Sequence, residues 1–157
     1  MESDEHKTIL YKRSNFATRL PLSFLYSPSH AWLSRRDGVW RVGFTKFATR
    51  MLGDVVDHGF GVEPGAAITT GQIIGWVEGF KAISDLYSTV DGTFRGGNPG
   101  LKTALDSIDR DCQGAGWLYE AEGQPSSLCM DAPAYLELLD KTIDKILEKQ
   151  KASEAGA

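Results

Sequence analysis

Residues 72–92 hold two apolar, β-prone runs on either side of a polar tip. The first run is Ile73, Ile74, Trp76 and Val77, and the second is Ile83, Leu86, Tyr87 and Val90. Glu78, Gly79, Phe80, Lys81 and Ala82 stand between them. The pattern predicts a β-hairpin with arms at 72–77 and 83–90, in which Gly79 permits the turn. A lysine at such a tip is held in water on a rigid scaffold, with no structural contact required of it.

Short strands and turns dominate the rest. Residues 20–26 form an apolar run broken by Pro21, which suits an edge strand. Asp37-Gly38 is a turn signal inside 31–44, which reads as a second hairpin. Thr45 is placed to cap a short helix over 46–52 that stops at Gly53, and 54–57 reads as a strand. Residues 58–65 are turn-rich, Asp91-Gly92 turns again before a short strand at 93–95, and 96–100 is a glycine loop. Residues 101–109 fit a helical turn or two, and 117–122 a last strand. Asp131 caps a final helix over 132–149, with Tyr135, Leu138, Leu139, Ile143, Ile146 and Leu147 at helical spacing. Many short strands and one long helix predict a mainly β domain over 21–149. Residues 1–20, polar and charged, read as a flexible extension on which Ile9, Leu10, Tyr11 and Phe16 are the groups able to dock, and 150–157 as a disordered tail.

Composition narrows the class. A chain of 157 residues with 41% hydrophobic and 24% charged residues is one soluble globular domain. The acidic start, without an apolar run, predicts no secretory signal, and no stretch approaches the ~18 apolar residues of a membrane span. A net charge of −4 argues against nucleic acid as a partner. Cys112 and Cys129 make neither a disulfide framework nor, with His6, His30 and His58, a metal site, and a reducing cytoplasm is the expected setting. No phosphate loop or catalytic triad is present, so the chain is expected not to be an enzyme.

Glu78, Lys81, Ala82, Ser84, Asp85, Tyr87 and Gly92 match, in spacing and identity, the lysine-bearing hairpin of the glycine cleavage H protein family. Tyr26, His30 and Trp32 resemble that family's opening motif. Gly43, Thr45 and the run Leu52-Gly53-Asp54-Val55-Val56 resemble its short helix and following strand, and Asn98 with Gly114-Ala115-Gly116-Trp117-Leu118 its later landmarks. The resemblance spans about 26–139. It implies a flattened barrel-sandwich hybrid of small antiparallel sheets, with a lipoyl group joined to Lys81 as an amide. It also implies that a lipoate-attaching enzyme finds Lys81 with the help of Glu78 and Asp85, which as plain residues are equally well tip charges that keep the hairpin soluble. His30 matches a histidine near the family's arm-holding cleft; its plainer reading is a structural histidine buried beside Trp32.

Other residues admit two readings. Phe80 reads as packing down on the barrel in preference to touching a partner. Cys112, beside Arg110, is either a thiol activated by that cation or, in the preferred reading, an idle loop cysteine. Cys129 is expected to be packed, and Trp76 and Trp117 are expected in the core. Asp57-His58 forms an Asp-His pair on its strand.

Several positions depart from the family pattern. Gly79 replaces a serine, Asp57-His58-Gly59 interrupts an apolar strand, Leu105 stands for proline and Asp109 for asparagine, and both ends are longer. These departures tilt the reading toward H-like lipoate-binding proteins of bacterial sulfur oxidation, which work with a heterodisulfide-reductase-like complex. The alternative is a glycine cleavage H protein, whose partners are glycine decarboxylase, aminomethyltransferase and dihydrolipoyl dehydrogenase. A third is an unmodified binding or lipoate-relay module. Phe80-Lys81-Ala82 argues against a biotin carrier, whose lysine lies between methionines. A carrier that visits several partners is expected to be a monomer.

Overall fold

The alternation of the central hairpin is realised as β8 (Ile73–Gly79) and β9 (Ile83–Tyr87), antiparallel, with Ile74, Val77 and Leu86 turned inward and Ile73, Trp76, Ile83 and Tyr87 outward. The computed structural model describes residues 7–155. Before the hairpin come β1 (Thr8–Arg13), β2 (Phe16–Pro21), β3 (Leu25–Tyr26), β4 (Ala31–Arg36), β5 (Val39–Phe44), α1 (Lys46–Leu52), β6 (Val55–Phe60) and β7 (Ala67–Ile68). After it come β10 (Val90–Gly97), a 3₁₀ turn (Pro99–Lys102), α2 (Ser107–Arg110), β11 (Tyr119–Pro125) and α3 (Ala132–Ala155).

Three sheets result: β1-β2, the six-stranded β3-β4-β5-β11-β10-β7, and β6-β8-β9. The two larger sheets share one core, in which Ile74, Val77 and Leu86 belong to the same cluster as Leu33, Val42, Phe94 and Tyr119. This is the mainly β sandwich with a C-terminal helix that the pattern of short strands predicts. A second core joins β1, β2 and α3 to the neighbouring strands through Tyr11, Phe16, Leu20, Tyr26, Trp32, Tyr135 and Leu139.

The second core changes the reading of the N-terminus. Residues 8–21 are a hairpin docked on α3, with Tyr11, Phe16 and Leu20 buried; residues 1–6 lie outside the described residues. Charged positions interrupt the alternation and hide it from a local reading. Their partners are far away in the chain. Arg13 donates to Asp144 at 3.0 and 2.9 Å and lies 3.3 Å from Asp140, while the Tyr11 hydroxyl donates to Asp140 at 2.8 Å. At the other end α3 runs to Ala155, so the tail expected at 150–157 is helical as far as it is described.

Smaller differences have local causes. Gly92 lies within β10 and not in a turn: a Cβ there would meet the Glu122 carbonyl oxygen at 1.8 Å, so glycine permits close strand approach. β6 continues to Phe60, past the turn expected from residue 58. Thr45 precedes α1 without a side-chain cap, because its hydroxyl is bonded to that of Tyr135 at 2.8 Å. Asp131 does cap α3, accepting from the Ala134 N–H at 3.0 Å. Asn98 shapes the loop after β10 by donating to the Ala115 and Trp117 carbonyls, both at 2.8 Å, and accepting from Gly100 N–H at 2.9 Å.

Candidate functional site

Phe80, Lys81 and Ala82 connect β8 to β9, and the loop is closed by the Gly79 N–H donating to the Ala82 carbonyl at 2.9 Å. Two further bonds pin it to the end of α1. The Phe80 N–H donates to Asp54 at 3.0 Å and the Lys81 N–H to Leu52 at 2.9 Å. Glycine makes this contact possible. A Cβ on Gly79 would lie 2.1 Å from the Leu52 carbonyl oxygen, and one on Gly53, at φ 74°, would lie 3.0 Å from Lys81 Cγ. The replacement of the family's serine by Gly79 thus has a packing reason: strand and helix end touch backbone to backbone.

The lysine itself is exposed and forms no ion pair among the described residues. Glu78 is opposite Ile83, and Asp85 opposite Trp76. With period-two alternation, both carboxylates occupy the outward face of the hairpin as diagonal neighbours. Trp76 and Ile83 share that face, at 39% and 66% exposure, and Phe80 at the tip is 79% exposed. Phe80 therefore does not pack down, because the backbone bonds to α1 hold the loop and leave its ring in solvent. Trp76 is not in the core either. Its ring covers Gly59, where a Cβ would meet it at 2.2 Å, so the glycine of the Asp57-His58-Gly59 departure serves this indole.

Two recesses open beside Lys81. One, of about 450 Å³, lies between the turn of the β1–β2 hairpin, α1 and α3, with Phe16, Phe47, Met51, Ile143, Ile146 and Leu147 in its wall and Arg13 and Arg50 at its rim. The other, of about 250 Å³, is polar and is lined by Lys46, Thr49, Gly53, Asp54 and Asp109 as well as Lys81. One Asp109 carboxylate oxygen is fully buried without a hydrogen-bond partner. Sequence reasoning missed the first recess, since its walls come from residues far apart in the chain; the helical apolar spacing of Ile143, Ile146 and Leu147 was its only local signal.

His30 is drawn toward the second core, as in its structural reading. Its Nδ1 lies 2.8 Å from the Tyr135 hydroxyl, and its ring centroid lies 4.6 Å from that of Phe47. Burial pulls its pKa down to about 4. It makes no hydrogen bond or ring contact with the lysine hairpin among the described residues; Phe47 is the group it shares with the apolar recess. Trp32 is buried and donates its indole N–H to the Cys112 carbonyl at 2.9 Å.

The activated-thiol reading of Cys112 is overturned. Burial pushes the thiol up to about 11, and Arg110 is engaged by Asp106 at 2.9 Å. Cys129 packs, half-buried, against the main core. Trp117 is only partly buried, under the Arg41 guanidinium at 4.3 Å. Asp57 binds the backbone N–H of His58 at 2.9 Å and not its ring, and burial lowers the His58 pKa. No cluster of metal ligands occurs among the described residues.

A pinned hairpin that presents one unpaired primary amine, with room for an acyl chain beside it, fits an amide-linked arm. Similarity points the same way. Residues 24–142 match the family model for the glycine cleavage H-protein. The chain is 37% identical over 122 residues to the glycine cleavage system H protein of Corynebacterium jeikeium, covering 75% of this chain and 95% of that one. It is 39% identical over 104 residues to that of Mycobacterium avium, covering 66% and 78%. The crystal structure of a glycine cleavage system H protein from Mycobacterium marinum superposes with a TM-score of 0.67 at 30% identity, covering 74% of this chain and 95% of that one. The chain belongs to the glycine cleavage H-protein family, whose cofactor is a lipoyl group joined covalently to a lysine.

Proposed function

We propose that Lys81 is the lipoyl attachment site and that the protein is the aminomethyl carrier of a glycine cleavage system. The observation that carries this is the Lys81 hairpin: an exposed amine, unpaired among the described residues, at a tip fixed by two backbone hydrogen bonds to Leu52 at the end of α1 and to Asp54 just after it. When bound, the lipoyl group would supply a cyclic disulfide whose S–S bond breaks as one sulfur accepts the aminomethyl carbon with the electron pair left by decarboxylation, while the other sulfur becomes a thiol. The chain's own residues hold, present and shelter. Leu52 and Asp54 fix the main chain of the tip. Glu78 and Asp85 offer a lipoate-attaching enzyme two carboxylates on one face, within a patch that also exposes Trp76, Ile83 and Phe80. Glycine decarboxylase, aminomethyltransferase and dihydrolipoyl dehydrogenase are the partners this reading implies. The protein catalyses none of their steps and serves as a monomer in the cytoplasm. Among the described residues no helix is long and apolar enough to cross a membrane.

The sulfur-carrier reading gives way to this one. It rested on departures from the family pattern, and two of them have packing reasons: Gly79 against Leu52, and Gly59 under Trp76. The relatives reported above carry the glycine cleavage name. Intact-mass and peptide-mapping measurements on protein from its native host test the proposal. The expected result is a lipoyl increment on Lys81 that is absent from Lys81→Arg. An unmodified Lys81 in cells that lipoylate other carriers would sink it.

A further inference from the structure

β3 covers the edge of β4 only at Trp32 and Leu33, which pair with Tyr26 and Leu25. Before Leu25 the chain leaves that edge: the Phe24 N–H donates back to the Pro21 carbonyl at 3.4 Å, and Pro21 ends β2 opposite Thr8. Ser34, Arg35 and Arg36 of β4 therefore have no strand on that side. The gap is a recess of about 460 Å³, with those three residues and Phe24 in its wall and with Lys7 and Thr8 of the β1–β2 hairpin closing it. It shares no residue with either recess beside Lys81. Its chemistry is one-sided. Three cations, Lys7, Arg35 and Arg36, line it and, among the described residues, no carboxylate does, in a chain with 21 acidic and 17 basic residues. Arg35 and Arg36 form no ion pair among the described residues. Arg35 lies over the Trp40 ring at 5.5 Å, which steadies the guanidinium without neutralising it. Ser34 is only 7% exposed, and its hydroxyl makes no hydrogen bond among the described residues. Such a hydroxyl beside two guanidiniums costs desolvation and repulsion that an anionic acceptor removes.

We infer that this recess binds a small organic phosphate, whose oxygens accept from the Arg35 and Arg36 guanidiniums and from the Ser34 hydroxyl. Guanidinium forks match phosphate oxygens in pairs, which a carboxylate or phosphate uses and a halide cannot. The volume lies within the roughly 300–1,000 Å³ of small-molecule sites, more than a bare inorganic ion fills. The remaining space suits an organic part laid against Phe24, whose ring is fixed by stacking on Trp32 with centroids 5.0 Å apart. Lys7 and Thr8 belong to the hairpin that precedes the matched residues 24–142, and the serine and both arginines lie within them. An occupied recess thus ties the added hairpin to the edge of the six-stranded sheet. The site is independent of the carrier role of Lys81.

The test is calorimetric titration of the full-length protein with phenyl phosphate, and with inorganic phosphate for comparison, at ~0.1 M NaCl. Phenyl phosphate is expected to bind with a Kd below about 1 mM, and inorganic phosphate at least ~3-fold more weakly. The double variant Arg35→Ala/Arg36→Ala should raise the Kd for phenyl phosphate at least ~10-fold, and Ser34→Ala about 3-fold. Both arginines are exposed at the end of β4, so the double variant keeps the fold. Lys102→Ala removes an exposed cation elsewhere and should leave the Kd unchanged. No saturation by about 10 mM phenyl phosphate overturns the site. Binding that survives the double variant, or that falls equally in Lys102→Ala, overturns it as well, because the anion is then held by general charge or by another surface. Inorganic phosphate binding as tightly as phenyl phosphate overturns the organic occupant.

Discussion

The two recesses beside Lys81 differ in chemistry and in where their walls come from. The polar one uses Lys46, Thr49, Gly53, Asp54 and Asp109, all inside the residues that match the family model. The apolar one draws Phe16, Ile143, Ile146 and Leu147 from chain outside that match. Around a single lysine, then, the matched scaffold supplies the polar recess and, through Phe47 and Met51, part of the apolar one, and the added hairpin and helix turns supply the rest of its hydrocarbon. The difference teaches that extensions at both chain ends can reshape a site whose own segment is unchanged, provided that they meet each other in space. Here a few polar contacts make them meet, and the second core seals them.

The sharpest way to break the comparison is at Phe47, which is buried in the second core and also lines the apolar recess. Phe47→Ala is expected to cost about 3–5 kcal/mol of folding stability, read from urea midpoints, and to open the apolar side. Little change in the midpoint would mean that α1 and the added hairpin do not pack as a unit.

A smaller effect comes from acid. Burial holds the His30 imidazole at about 4, against an ordinary value of 6.5. The unfolded chain therefore protonates first. The contribution of His30 is full above about pH 6.5, falls as the pH drops toward about 4, and levels off below that. The loss over this window is about 2–3 kcal/mol. His30 has φ 68°, so His30→Asn, which tolerates left-handed backbone, is the control. Stability of the variant measured between pH 7 and 4.5 should slope less steeply than that of wild type; equal slopes would remove His30 as the source.

The smallest effect sharpens the polar side. One Asp109 oxygen is buried without a partner, so Asp109→Asn, which restores the family's usual residue, should raise stability by up to about 1 kcal/mol. A fall in the urea midpoint would show that the carboxylate is needed where it stands.

Much of the fold was readable from local pattern. The lysine hairpin, the hairpin about Asp37-Gly38, α1 and α3 all announce themselves by alternation, turn residues or helical spacing, and the positions of Glu78, Lys81 and Asp85 follow from strand register. What escaped depends on distant partners. Residues 1–20 read as a flexible extension, with Tyr11 only one of several groups able to dock, until Asp140 and Asp144 are seen beside Tyr11 and Arg13. Phe80 reads as a packed ring until the tip's backbone is seen bonded to Leu52 and Asp54. Gly92 looks like a turn signal because a sequence gives no sign of a second backbone arriving at its Cβ position.

The backbone contact between Gly79 and Leu52 has a mechanical consequence. Neither strand nor helix end can slide without breaking the bonds from Phe80 and Lys81, so the root of the lysine is a pivot without play. All the reach of a group attached there lies in the side chain and its extension, and the volume searched is a cap of fixed centre. Effective molarity toward a docked enzyme is then set by tether length alone. A partner that grips the hairpin face already knows, to within the flexibility of one side chain, where the far end can go.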